Sequence, residues 1–580
     1  MADYRAPIEE QLFVLETVAG LADLATHPGF EDATPEMAGQ ILEESARLAE
    51  QGFAPLNAVG DREGARLSGD EVTLPAGFAE VYRDYVAAGW NGLSADPAYG
   101  GQGLPFALSV AVQEQFTAAN MAFSLCPMLS LSAIEALQAH GDEATKALYL
   151  PKLASGEWSG TMQLTEPQAG SDVGALRTTA TPADDGSYWL GGQKIFITWG
   201  EHDLAENIVH FVLARLPDAP PGSKGISLFL VPKYLPDADG RPGARNDVRC
   251  IALEHKMGIH ASPTCTMALG ERGECVGWLI GKPHGGLAAM FTMMNHARMN
   301  VGCQGVAMAE RAWQDARAYA AERIQFGPII GHPDVRRMLM TMRSLTQAAR
   351  ALVYANAAAV DRAHKAPDAE ARAYWKGRGD LLTPISKAWS TDIGIEVTSL
   401  AVQVHGGAGY IEETGVARHY RDVRIAAIYE GTNGIQAMDL AGRKLRLDKG
   451  AAMEALEVEM TRDVAGWPDG LCRTGMERAL GHLARARAAI LAHDEPGAGA
   501  AAYPFLSLCG GVIGSWLLGR QAVRAGGMLA DGEGDPAFWN AKIATADFFI
   551  TQRLPLALAH IDAITASPEQ LLGASAFPLA

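Results

Sequence analysis

Basic residues are in deficit in this chain: 48 Lys and Arg stand against 67 Asp and Glu, a formal net charge of -19. That balance opposes nonspecific attachment to nucleic acid or to an anionic membrane, so any anionic ligand must be met by local arginines. Cysteine is sparse too. The seven, at positions 126, 250, 265, 275, 303, 472 and 509, are odd in number and widely spaced, and they never form a Cys-x-x-Cys pair. This argues against a disulfide framework or a zinc site and fits a reducing cytoplasm. Apolar runs are short. Gly511-Val-Ile-Gly-Ser-Trp-Leu-Leu518 is well under the roughly 20 residues of a bilayer span, so integral membrane association is not expected. Residues 1–10 lack both a basic n-region and a following apolar stretch, so neither is export, and a cytoplasmic location follows.

Several catalytic templates are also missing. Gly277-Trp-Leu-Ile-Gly-Lys282 has the wrong spacing for a phosphate loop and runs into Pro283. Neither Gly101-Gln-Gly103 nor Gly407-Ala-Gly409 continues into a dinucleotide fingerprint, and there is no Gly-x-Ser-x-Gly elbow or His-Glu-x-x-His helix. The histidines are scattered, so no metal site is expected.

What is present fits a large globular enzyme. A length of 580 residues predicts two to four domains, and 48% apolar with 20% charged residues is ordinary for a folded chain. The fold class expected is mainly α with a middle β domain. Residues 1–155 read as helical, with Pro35 to Leu56 and Ser109 to His140 as helices and Tyr99-Gly-Gly-Gln-Gly-Leu-Pro105 as a loop. Near Gly160 the pattern changes to β-type runs, Tyr188–Leu190, Gln193–Thr198, Ile208–Leu213 and Gly225–Val231, set between Pro, Gly and Asp clusters. This middle domain is placed at 156–284. A proline-free stretch from Gly286 to Gln325 opens a helical domain at 285–447. The remainder, 448–580, reads as an additional helical domain. There Met476, Leu480, Leu483 and Ile490 fall near helical spacing, with loops at Glu495-Pro-Gly and Asp531–Pro536.

The most informative segment is Arg424-Ile-Ala-Ala-Ile-Tyr-Glu430-Gly-Thr-Asn-Gly. An apolar approach ends in a carboxylate, and withdrawal from water raises a glutamate toward use as a base. Glu-Gly-Thr-Asn-Gly is equally a turn composition. Three other segments accompany it. Met162-Gln-Leu-Thr165-Glu-Pro-Gln-Ala-Gly-Ser171-Asp172 offers hydroxyls and loop amides to a polar ring edge, or is a capped turn. Arg323-Ile-Gln325-Phe326-Gly327 places a cation where a helix ends, which suits either the helix dipole or a phosphate. Gln403-Val-His-Gly-Gly407-Ala-Gly-Tyr410 lets a backbone approach a ligand or a neighbouring helix closely.

In this order, together with Gly192-Gln-Lys-Ile-Phe-Ile-Thr198, these segments resemble the acyl-CoA dehydrogenase family over residues of about 35 to 445. The resemblance implies a helical N-domain, a middle β-barrel, a four-helix bundle and an FAD cofactor. Glu430 is implied as the base that removes the α-proton of an acyl-CoA thioester while flavin N5 takes the β-hydride, giving a trans-2-enoyl-CoA. For FAD it implies Met162, Leu164, Thr165, Ser171, Phe196 and Thr198, with Thr432 and Gly434 beyond the base. Arg323, Gln325, Phe326, Gln403 and Gly407 match positions that reach the FAD of a neighbouring subunit. For the substrate it implies Ser171, Asn295, Arg298 and Gly431. Phe196 stands where many relatives carry Trp, and Asn295 where Asp is frequent.

The extra domain, Phe196-Ile-Thr-Trp-Gly-Glu-His-Asp203 and Glu254–Thr264 resemble an extended bacterial subgroup. Its substrates include 3-methylmercaptopropionyl-CoA, giving methylthioacryloyl-CoA, and medium or long straight-chain acyl-CoA. Methionines 290, 293, 294 and 299 suit a thioether pocket and serve equally as core-fillers. An electron-transferring flavoprotein is implied as acceptor, with acyl-CoA oxidase chemistry as the alternative. A homodimer is implied, because in extended relatives the added domain occupies the surface on which dimers pair. Some extended relatives bind DNA, but residues 451–580 hold 14 acidic and nine basic residues, a balance of -5 that speaks against it.

Overall fold

The computed structural model describes residues 3–573, which divide into two compact units. One comprises residues 45–104 and 119–297, the other 3–44, 105–118 and 298–573.

The first unit is built on β-structure. β1 (Arg66–Ser68) and β2 (Glu71–Thr73) form a hairpin. The main sheet contains β3 (Trp158–Gln163), β4 (Thr179–Pro182), β5 (Tyr188–Thr198), β6 (Asn207–Arg215), β7 (Ile226–Pro232), β10 (Val248–Leu253), β11 (Thr264–Leu269) and β12 (Val276–Ile280), while β8 (Tyr234–Pro236) and β9 (Pro242–Arg245) pair separately. Its pairing closes on itself: β5 joins β12, then β7, β6 and β4, and β4 returns to β5. Closure removes the open edges of that circuit. Ile197, Val212, Phe229 and three cysteines, Cys250, Cys265 and Cys275, fill the core.

The runs Tyr188–Leu190 and Gln193–Thr198 prove to be one strand. The first half of β5 pairs with β4 and β12 and the second with β11, and the change of partner falls at Gly191-Gly192. Two glycines weaken a strand signal in sequence, but here they let the strand turn a corner.

Two expected helices are also divided. Ser109 to His140 breaks at Asn120, whose side chain caps the next helix by accepting from Phe123 N at 3.2 Å and also donates to Phe53 O. The stretch from Pro35 passes through a wide π turn at Ala49–Phe53 and continues to Glu63. Helix α1 (Met121–His140) covers β3, with Ser130 Oγ accepting from Gly160 N at 2.9 Å.

In the second unit the long elements are α2 (Gly286–Glu322, in this unit from Arg298 on), α3 (Pro333–Lys365) and α4 (Ala369–His405). Short helices follow to Leu447. On α3, Arg350 is fully buried between Glu114 (2.7 Å) and Glu310 (2.8 Å), and Tyr354 donates to Glu114. The extension contributes α6 (Leu471–Ala492) and α7 (Glu495–Asp531), once the short helix Asn433–Met438 is labelled α5. Glu495-Pro-Gly is not a loop but the first turn of α7: Asp494 caps it by accepting from Gly497 N at 2.8 Å, and a proline is tolerated there. By length and composition α1 and α7 would suffice to cross a bilayer, although their apolar runs look short in sequence. Their most apolar windows are 89% and 83% buried within the protein, which makes them core helices. All seven cysteines are free thiols.

Candidate active site

Glu430 sits in a backbone conformation that few non-glycine residues adopt. Its φ is 56° and that of Gly431 is 83°, two successive left-handed residues after the short turn Arg424–Ala427. A left-handed glutamate costs about 1–2 kcal/mol, and it persists where surrounding contacts over-determine it. Those contacts fall on the carbonyls. Glu430 O accepts from Arg298 Nε at 3.2 Å and Gln436 Nε2 at 3.3 Å, and Gly431 O accepts from Lys387 Nζ at 2.8 Å. A side chain at Gly431 would meet Gln436 Nε2 at 2.7 Å, so the turn requires glycine there. Tyr429 donates to Gln304, and Thr432 caps α5 by accepting from Ile435 N at 3.2 Å.

The cations come from helices that cross closely. At Gly302 and Gly305 of α2 a Cβ would strike the backbone of Ser386 and Ser390 on α4. These glycines bring α2 and α4 into contact beside the turn, Arg298 from one and Lys387 from the other.

The Glu430 carboxylate is mostly withdrawn from solvent and accepts no hydrogen bond from the described residues. Burial pushes it from 4.5 up to about 7, against the opposing pull of the Arg298 and Lys387 charges. Lys387 is pushed down by burial, against Glu430 and Asp392. The result is a carboxylate free to take a proton near neutral pH, with its backbone clamped.

The first unit assembles a second set. Thr165 O accepts from Ile195 N at 2.9 Å, which lays the segment after β3 beside β5. Opposite β11 the strand carries an extra residue in a β-bulge between Lys194 and Ile197. Phe196 lies in this bulge with φ 60° and is 58% exposed. A bulge re-aims a side chain, and here it turns an aromatic face outward. Thr198 is held through its carbonyl by Thr161 Oγ1 at 2.7 Å. Met162 is buried, Leu164 and Thr165 are partly exposed, and Ser171 lies open on the following loop. A buried ion pair joins the two motifs. Lys194 Nζ donates to Glu166 Oε1 at 2.8 Å and Leu164 O at 3.1 Å, and Glu166 also accepts from Thr178. Burial raises Glu166, but Lys194 outweighs it and holds the carboxyl down to about 2.

Arg323, Gln325 and Phe326 form a protruding turn after α2. Gln325 N donates to Gly327 O at 2.8 Å, and Phe326, at φ 56°, is fully exposed. Gln403 and Gly407 are exposed near the end of α4, where a Cβ at Gly406 or Gly407 would meet nothing within 4 Å. Gly434 is exposed on α5. Asn295 and Arg298 lie three residues apart on α2, hence on one face. Lys387, Asn433 and Asp392 went unnoticed in sequence. A lone lysine within a long helix reads as a solvated residue, and only its burial reveals it.

Family models for the acyl-CoA dehydrogenase N-terminal, middle and C-terminal domains match residues 38–157, 161–271 and 284–445. A model described as acetyl-CoA dehydrogenase C-terminal like matches 469–575. Over 594 aligned positions the chain is 46% identical to 3-methylmercaptopropionyl-CoA dehydrogenase of Ruegeria pomeroyi, covering 99% of this chain and 100% of that one. The chain belongs to the acyl-CoA dehydrogenase family. This dehydrogenase is therefore an oxidoreductase acting on a CH–CH bond of acyl-CoA. It is 35% identical to a broad-specificity linear acyl-CoA dehydrogenase of Mycobacterium tuberculosis, with 96% of each chain covered. In fold it resembles an acyl-CoA dehydrogenase from Bacillus anthracis, solved in complex with FAD, at a TM-score of 0.74 and 23% identity over 94% of this chain and 89% of that one.

Proposed function

We propose that the enzyme oxidises an acyl-CoA thioester to its trans-2-enoyl-CoA, with Glu430 as the base and FAD as the cofactor. The observation that carries this reading is the Glu430 carboxylate itself, unpaired, mostly buried and raised to about 7.

The residues present fit a flavin. Phe196 offers an exposed aromatic face, Thr165, Thr198 and Ser171 stand on adjacent segments as hydroxyl donors and acceptors, and Met162 and Leu164 supply apolar surface beside them. By family resemblance Thr432 and Gly434 also serve FAD, while Arg323, Gln325, Phe326, Gln403 and Gly407 serve the FAD of a second subunit in a homodimer. When bound, FAD supplies the two-electron acceptor at the β-carbon that no side chain provides.

The chain's own residues handle the proton. The α-hydrogen of a thioester is weakly acidic, so a base near neutrality has to meet it out of water. Glu430 takes that proton onto a carboxylate oxygen. Arg298 and Lys387 keep it ionised enough to act, and by clamping the carbonyls of Glu430 and Gly431 they hold the carboxylate's origin still. Asn295, Arg298, Ser171 and Gly431 contact the substrate.

The acyl group is 3-methylmercaptopropionyl, giving methylthioacryloyl-CoA. The reading is supported by 46% identity to the Ruegeria enzyme along the full chain. Electrons pass to an electron-transferring flavoprotein in the cytoplasm. Anaerobic bleaching of the flavin with 3-methylmercaptopropionyl-CoA and straight chains of increasing length tests this directly. Fastest bleaching by the thioether substrate is expected; a clear preference for a long straight chain would overturn the assignment. Peroxide as the main product in air would make the enzyme an oxidase.

A further inference from the structure

The turn that carries Glu430 is tied to the C-terminal extension by a continuous run of hydrogen bonds. Lys387, with no exposed surface on α4, donates from Nζ to Gly431 O at 2.8 Å and to Asn433 Oδ1 at 2.9 Å. The other side of the Asn433 amide donates to Asp392 Oδ1 at 2.8 Å, Thr391 Oγ1 at 3.0 Å and Ala388 O at 3.1 Å. Asp392 Oδ2 accepts from the hydroxyl of Tyr503, which belongs to α7 of the extension.

The run has one polarity. A phenol donates to the carboxylate, the carboxylate accepts from the amide N–H, and the amide oxygen accepts from the ammonium, which donates onward to the turn. Reversing the Asn433 amide would set two acceptors together at Asp392 and two donors together at Lys387. Packing removes the remaining slack. At Gly510 and Gly514 of α7 a Cβ would run into the Trp389 indole, at 2.7 Å in the case of Gly514, so the extension seats against α4 two residues from Lys387.

We propose that Tyr503, Asp392, Asn433 and Lys387 are positioning residues through which the extension fixes the Glu430–Gly431 turn and sets the positive charge that Glu430 feels. This rests on Glu430 being the base. The groups that face each member define the sign. Glu430 faces Arg298 from α2 and Lys387 from α4, with the Tyr429 phenol beside it. Lys387 faces Glu430, Asp392 and Arg298. Asp392 faces Tyr503, Asn433, Lys387 and Arg424; burial raises its carboxyl, and the Tyr503 hydrogen bond is the first of the effects opposing it. Without the phenol, Asp392 takes a proton more readily and Lys387 loses its counter-charge. Lys387 then gives up its own proton more easily, Glu430 sees less positive charge, and the base is protonated to a higher pH.

The test uses the full-length FAD enzyme with Tyr503→Phe, Lys387→Met, their double variant and Glu430→Gln. It reads the pH profile of substrate-driven flavin reduction and hydrogen exchange over residues 429–438. In Tyr503→Phe the acid limb is expected to move up by about 0.5 pH unit, roughly a threefold loss at pH 6 and little at pH 9, with KM unchanged. Exchange in the 429–438 segment should quicken by about fivefold and stay unchanged elsewhere. Lys387→Met should move the limb further, and adding Tyr503→Phe to it should add nothing. A profile and an exchange pattern that match the parent in Tyr503→Phe would overturn the relay, as would full additivity in the double variant. Glu430→Gln judges the base separately: activity retained there removes that assignment, while the exchange result still decides whether the extension holds the turn.

Discussion

Replacing Glu430 by Gln should stabilise this enzyme above neutral pH while disabling it. In the folded chain burial raises Glu430 from 4.5 to about 7, so the ionised form is disfavoured relative to the unfolded chain. The raised value means that the folded state binds the proton more tightly. Its contribution is therefore fully present below about pH 4.5, falls as pH rises, and is gone above about pH 7. Moving a carboxyl across that interval corresponds to about 3 kcal/mol, and the residual solvent contact of Glu430 brings the expected figure to about 1–3 kcal/mol. Glutamine has the same shape and no charge to desolvate, so the variant escapes the loss. In paired melts of FAD-loaded protein from pH 4 to pH 8.5, the melting temperatures should agree at pH 4. They should then diverge, with the variant a few degrees higher at the alkaline end. Loss of the base should cost at least 10²–10⁴-fold in the rate of flavin reduction at pH 8. A difference in melting temperature that does not change with pH would refute the electrostatic reasoning even if activity were lost, because it would show that the carboxylate is not strained by its surroundings.

Other expectations follow from single contacts. Gly510→Ala would drive a methyl into Trp389 and should cost about 1–3 kcal/mol in denaturant unfolding; an unchanged midpoint would mean that α7 and α4 are not tightly seated. Glu166→Gln leaves the fully buried Lys194 without its carboxylate and should cost about 3–5 kcal/mol, read in the same assay. Phe196→Ala removes the ring turned outward by the β5 bulge and should weaken FAD retention on gel filtration at least tenfold; full retention would deny that ring a part in flavin binding. Phe326→Asp, at a fully exposed tip, should shift the mass in light scattering from dimer to monomer if that turn reaches a second subunit.

Much of the architecture is written locally in the chain. Helical and β zones differ in composition, so the helical ends and the middle β domain could be read without coordinates. Boundaries were less legible where one residue changes the outcome. Asn120 divides an apparently continuous helix by capping its second half, Pro496 opens a helix where Glu495-Pro-Gly looks like a loop, and Gly191-Gly192 bends a strand that periodicity splits in two. In each case the residue type allows two structures, and the neighbour it contacts decides between them.

The sequence by itself determined that Glu430 stands at the end of an apolar approach, before a glycine, in the company of four other ordered motifs. It determined this because those residues are adjacent in the chain. Only the tertiary structure decided what the carboxylate is. Its rise to about 7 comes from burial, held in check by the charges of Arg298 from α2 and Lys387 from α4. The clamp on Gly431 and the phenol on Asp392 come from positions 44 and 111 residues away in the chain. A pattern of neighbours records which groups are available; desolvation and charge act through space, and only the folded chain sets those distances.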